Sequence, residues 1–167
     1  MTISFIRRLL LFLVLCLAQA LVLGRIQLFG CASPLLYVYF TIIFQRGHPR
    51  WSILLWSFAL GLTVDMFSNT PGVAAASMTL IGFLQPYLIE LFLPRDAEAD
   101  IPSSAKSLGI GRFACLAGLL TLAYSLVFFA LESFSFFNWL YWLQCSLGSA
   151  LLTFLLIMTI ESLRVKS

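Results

Sequence analysis

The side chains able to do covalent or acid–base chemistry are few: one histidine, four cysteines and seven carboxylates in 167 residues. An intramembrane serine protease needs a serine beside a buried histidine, and the one histidine, His48, sits between Arg46 and Arg50 in a short basic stretch. A zinc hydrolase of the HExxH type is excluded because the motif does not occur. Cys16, Cys31, Cys115 and Cys145 all lie within apolar runs, without the CxxC or Cys/His spacing of a metal or redox centre. They read as small buried hydrophobes, although Cys31 and Cys145 fall near the same outer face and leave a disulfide open. Gly109-x-Gly111 lacks the third glycine and the preceding strand of a dinucleotide site, and there is no Walker motif. The expectation is a protein without catalytic residues, metal or cofactor.

Asp65 is the carboxylate that needs explaining, because it interrupts an otherwise uncharged run from Trp51 to Ile89. Fourteen residues beyond Trp51, it lies about 21 Å along a helix crossing a core about 30 Å thick, in the outer third. A charge at such depth costs up to about 2.5–3.5 kcal/mol at mid-membrane, so the side chain must face protein or water. Either it binds a ligand or handles a proton, or it forms a structural ion pair or a helix-end contact. Arg25 is the expected partner. Glu90, Glu132 and Glu161 fall near helix ends and read as interface anchors.

The elements that must position these groups are written in the composition. Only 10 % of the residues are charged and 61 % are apolar, with a mean hydropathy of +1.00, against about 25 % and 45–50 % in soluble domains. Charge is absent from 9–24, 26–45, 51–64, 66–89, 113–131 and 133–160. The blocks predict a single all-α membrane domain over 1–167, a six-helix bundle with spans at 7–24, 31–45, 51–67, 73–93, 113–131 and 139–160 and a loop at 94–112. Ala18-Gln19-Ala20 has the small-x-small look of a signal cleavage site, but the apolar run continues to Leu23 and reads as an uncleaved helix. Ser33 and Pro34 suit the first turn of the second, shortest helix. Ser68-Asn69-Thr70-Pro71-Gly72 is a tight turn between the third and fourth. Phe134, Phe136, Phe137, Trp139, Tyr141 and Trp142 mark a water–lipid interface before the sixth.

With six spans, nine of the ten Lys and Arg fall on one side and Arg25 alone on the other. Positive residues are retained in the cytoplasm, so both termini are expected there. The net charge of +3 therefore reports orientation in a lipid membrane and does not point to nucleic acid. Small residues on the fourth helix (Gly72, Ala74, Ala75, Ala76, Ser77, Gly82) and the sixth (Ser146, Gly148, Ser149, Ala150, Thr153) predict close helix approach. Pro86 removes an amide bond to the carbonyl of Gly82 and should kink the fourth helix beside Gln85.

Two stretches, RIQLFGCASPLLYVYF at 25–40 and GLTVDMFSNTPGVAAASMTLIGFLQPYL at 61–88, resemble the rod shape-determining protein MreD family. Gly61-x-x-x-Asp65, Pro71-Gly72 and the alanine-rich start of the next helix carry most of the resemblance, which covers about residues 20–95. It implies a bacterial inner-membrane scaffold of the cell-elongation machinery. The implied partners are MreC and, indirectly, MreB, RodA and a penicillin-binding transpeptidase. That family is similar in fold to the substrate-binding membrane subunits of energy-coupling vitamin transporters, and small-molecule binding is the alternative function. The candidate structural or partner-contact residues are Arg25, Gly61, Asp65, Asn69, Pro71, Gly72, Gln85 and Pro86.

Overall fold

The computed structural model describes residues 2–22, 33–44, 49–92, 105–133 and 138–166. The described chain is 89 % helical and has no strand. Its elements in order are α1 (Thr2–Leu21), α2 (Val38–Ile42), α3 (Arg50–Ser68), α4 (Val73–Phe92), α5 (Ala105–Leu108), α6 (Ile110–Ser133) and α7 (Trp139–Lys166). Among the described residues, four stretches are long and apolar enough to cross a membrane: Arg50–Ser68, Val73–Phe92, Ile110–Ser133 and Trp139–Val165. The protein is membrane-embedded, and the exposed leucines and phenylalanines of α1, α3, α4, α6 and α7 suit contact with lipid chains.

Two antiparallel hairpins organise the bundle. In the first, α3 and α4 lie so close that a Cβ on Gly61 would fall 2.6 Å from the Ala75 Cα, while one on Gly82 would fall 2.8 Å from the Ser57 Oγ. In the second, Gly118 of α6 faces the Phe154 ring of α7. Backbones approach closely where a small residue stands on the facing surface, and dispersion then does what the hydrophobic effect cannot do between helices in lipid. The α4 helix continues through Pro86 without a break.

The stretch between α1 and α3 departs from a regular span. A helix over 31–45 was the expectation; in the described part, 33–44, only Val38–Ile42 is helical. Ser33 to Leu35 are neither helix nor turn, yet Pro34 and Leu35 are buried. Non-helical backbone at membrane depth is tolerated only where protein satisfies its polar groups, and three side chains do so. The Ser33 amide donates to Ser149 Oγ at 3.0 Å, the Leu35 amide donates to Thr153 Oγ1 at 3.0 Å, and the Pro34 carbonyl accepts from Gln19 Nε2 at 3.0 Å. Proline keeps Ser33 out of the helical region, and the β-branched and aromatic residues Val38, Tyr39, Phe40 and Thr41 favour helix weakly. The buried side chains of this segment fill the centre of the bundle. Tyr37, Val38 and Ile42 are wholly inaccessible, together with Leu60, Met78, Phe113 and Leu120 from the surrounding helices.

The segment runs lengthwise through the bundle. Along α1 it passes from Gln19 at Pro34, past Phe12 at Phe40, to Arg8 over the Phe44 ring. Along α7 it passes from Ser149 to Glu161. Arg50 stacks on and hydrogen-bonds to Tyr87, which brings the start of α3 and the end of α4 to the same end as Arg8 and Arg164.

Candidate functional site

The Asp65 carboxylate accepts three hydrogen bonds from its own chain. The α4 helix starts at Val73 behind Gly72, whose φ of +83° only glycine adopts readily. Glycine in this capping position has no side chain to offer the free amides of the first turn. Asp65 supplies the missing oxygens from the neighbouring helix. Its Oδ1 accepts from the Ala74 amide at 2.9 Å, and its Oδ2 accepts from the Ala75 amide at 2.9 Å. The Thr70 hydroxyl donates to Oδ1 at 2.9 Å. A carboxylate at a helix N-terminus is stabilised both by these charge-assisted bonds and by the helix dipole.

The same residue ends α3. Its carbonyl accepts from the amide of Asn69, which takes the left-handed conformation (φ 58°, ψ 31°) common at helix C-termini, and from the Thr70 amide at 3.3 Å. One aspartate thus closes the helix before the turn and opens the helix after it. Gly61, one helical turn earlier, admits the α4 backbone to within reach of the carboxylate. Pro71 is exposed in the turn, where its fixed φ suits the bend.

Of the sequence-predicted residues, Gly61, Asp65, Asn69, Pro71 and Gly72 therefore meet in one hairpin. Gln85 and Pro86 lie apart from them, at the far end of α4, where Gln85 Nε2 donates to the Phe44 carbonyl at 3.1 Å. Arg25 lies outside the described residues, and so does the proposed Asp65–Arg25 pair. Cys31 also lies outside them; Cys145 is disulfide-bonded, whereas Cys16 and Cys115 are free thiols. Among the described residues, no group of three or more His, Cys, Asp or Glu is placed to hold a metal ion.

Other buried polar contacts were not anticipated. Glu161, expected as an interface anchor, is 1 % exposed, because α7 continues to Lys166 and leaves it inside the helix. It accepts from the Tyr39 hydroxyl at 2.6 Å and lies 3.9 Å from Arg164. The Tyr37 and Tyr124 hydroxyls pair in the interior. Buried positions Ser146, Ser149, Thr153, Ile157 and Glu161 recur every three or four residues on one face of α7, and that spacing is the signal that finds them. Tyr39→Phe is expected to destabilise the protein by about 1–3 kcal/mol, because it strips a buried acceptor of a short charge-assisted bond. Denaturation in mild detergent measures it, and an unchanged midpoint would show the bond to be dispensable.

No family model, curated protein or solved structure matches the chain.

Proposed function

We propose that this protein is a non-catalytic scaffold of the bacterial rod-shape complex, an MreD-like subunit that supports lateral peptidoglycan synthesis by holding partner helices. The observation that carries the reading is the state of Asp65. The carboxylate best placed by sequence to bind a ligand has both oxygens engaged by its own chain, so the segment that resembles the family is built for shape. The same observation weighs against the vitamin-binding alternative. Of the other polar and aromatic groups toward the outward end, Asn69 is exposed in the turn, and Gln144 and Trp139 are exposed as well.

The test is affinity purification from native membranes. MreC should be recovered, with RodA, its penicillin-binding partner and MreB in lower yield. Recovery of a transporter ATPase pair in its place would overturn the scaffold in favour of a vitamin transporter subunit.

The reading includes six crossings of the bacterial inner membrane with both termini in the cytoplasm, the segment at 33–44 serving as the second crossing. It is supported by the gathering of Arg8, Arg50 and Arg164 at one end of the bundle. The disulfide at Cys145, near the start of α7 at the other end, fits an oxidising compartment there. Reporter fusions at Arg50, Lys106 and the C-terminus should report cytoplasm, and fusions at Asn69 and Asn138 the outside. A single reversed reporter would refute the topology.

A further inference from the structure

We infer that Cys145 is joined to Cys31, so that a disulfide staples the unwound segment at Ser33–Leu35 to α7, at the end of the bundle away from Arg8 and Arg164. Two independent observations carry the pairing. The first is a count: the chain has four cysteines, Cys16 and Cys115 are free thiols, and Cys145 is disulfide-bonded. Cys31 is the one partner left within the chain.

The second observation is the register between the segment and α7. The Leu35 amide donates to Thr153 and the Ser33 amide to Ser149, so two residues of the segment advance with four of the helix. Non-helical chain covers up to about 6.6 Å in two residues, and a helix about 6 Å in four, so the two run side by side in step. They also run in the same direction, because Tyr39, further along, meets Glu161. One more step back from Ser33 and Ser149 sets position 31 against Cys145. Cys145, Ser149 and Thr153 follow one another at spacings of four on one face of α7, and all three are buried.

The bond forms by thiol–disulfide exchange. One cysteine thiolate attacks a disulfide donor to give a mixed disulfide, and the second thiolate then displaces the donor. The donor leaves as a dithiol, carrying the two electrons and the two protons that the cysteines lose. It belongs to the class of thiol oxidases of an oxidising compartment, since cytosolic thiols are kept reduced. Cys145 is 5 % exposed in the folded protein, so the exchange precedes the docking of the segment on α7. Once made, the staple reinforces a stretch of backbone that lacks a helical ladder and is otherwise held by single hydrogen bonds from Gln19, Ser149 and Thr153.

The test is thiol mapping of the full chain, extracted from bacterial membranes under acid quench and treated with a maleimide in denaturant before any reduction. Cys16 and Cys115 should take the label, and Cys31 and Cys145 should take it only after reduction. Trypsin cuts after Arg25, Arg46, Arg112 and Arg164 and so separates Cys31 from Cys16 and Cys145. Peptides 26–46 and 113–164, the latter labelled at Cys115, should travel as one species that parts on reduction. Labelling of all four thiols without reduction would overturn the bond, and two 113–164 peptides linked to each other would overturn the pairing in favour of a bond between two copies.

Substitution gives a second readout. Cys31→Ser and Cys145→Ser should each lower the melting temperature in detergent by about 5–15 °C, as expected for opening a long disulfide-closed loop. The double variant should melt with the lower of the two singles, because either one already removes the shared bond. Losses that add would overturn the pairing, and peptide mapping of the unmodified chain decides if the variants fail to fold.

Discussion

Gly61→Ala is expected to destabilise the protein by about 3–5 kcal/mol, more than the same methyl addition at Gly82, Gly111 or Gly118. An added Cβ would lie 2.6 Å from the Ala75 Cα, 2.7 Å from the Ala74 oxygen and 2.8 Å from the Ala75 nitrogen. All three atoms are backbone, so relief requires moving α4 as a body. Overpacking a tight contact costs about 1–3 kcal/mol by itself. The same movement pulls the Ala74 and Ala75 amides away from Asp65, adding about 1–3 kcal/mol for each buried donor left unpaired. For a domain whose whole stability is about 5–15 kcal/mol, the variant stands near the limit of folding.

Three other glycines turn this into a series. At Gly82 the obstruction is the Ser57 hydroxyl at 2.8 Å, a side-chain end that can rotate, although Ser57 also bonds to Thr41 at 3.2 Å. Gly82→Ala should cost about 1–2 kcal/mol, within the usual range for overpacking. Gly118 meets only ordinary contact with Phe154 at 3.5 Å, and its substitution should be nearly neutral. Gly111 has nothing within 4 Å, so alanine there should gain about 0.5–1 kcal/mol from helix propensity alone. Thermal melts of the four variants in one detergent check the ranking. A Gly61→Ala protein no less stable than Gly82→Ala would show that α3 and α4 are not held at this separation.

The long helices α3, α4, α6 and α7 were legible because uncharged runs of membrane length permit little else once their backbones must bond internally. The turn at Ser68–Gly72 was legible from its residue types. What could not be read was what crosses the bundle. Ser33, Pro34 and Leu35 depart from helix because their backbone groups find Gln19, Ser149 and Thr153, which lie 15, 116 and 118 residues away along the chain for the bonds concerned. No local pattern carries that information. Glu161 was misplaced for a simpler reason: an apolar run ends where charge begins, but α7 continues for more than a turn beyond it. Asp65 stood out as an anomaly with a helix-end contact among its readings, yet the search for a compensating charge led to Arg25. The described donors are two backbone amides and a threonine hydroxyl. Amides occur at every residue except proline, so nothing in the sequence singles out Ala74 and Ala75. The clue was Gly72, a helix start without a cap.

Asp65→Ala is expected to cost about 3–5 kcal/mol, the sum of two stranded buried amides and a lost anion at the α4 N-terminus. Ordinary capping substitutions cost about 0.5–2 kcal/mol because water replaces the lost oxygen at an exposed helix start. Asp65 is 6 % exposed, which limits that replacement. Asp65→Asn isolates geometry from charge. One amide oxygen can still accept from Ala74, but the NH2 group then faces the Ala75 amide, donor against donor. A loss of about 2–3 kcal/mol is expected, intermediate between wild type and alanine. Thr70→Val should cost less, about 1 kcal/mol, since it removes one of three donors and leaves none stranded. A cycle with Arg25→Gln separates capping from ion pairing. If backbone amides hold the carboxylate, Asp65→Asn and Arg25→Gln add in the double variant; if a desolvated pair holds it, the double recovers much of the loss. Hydrogen exchange gives the local readout. In Asp65→Ala the amides of Ala74 and Ala75 should lose protection while those in the middle of α6 keep theirs. Protection unchanged at both positions would mean that the carboxylate does not cap α4.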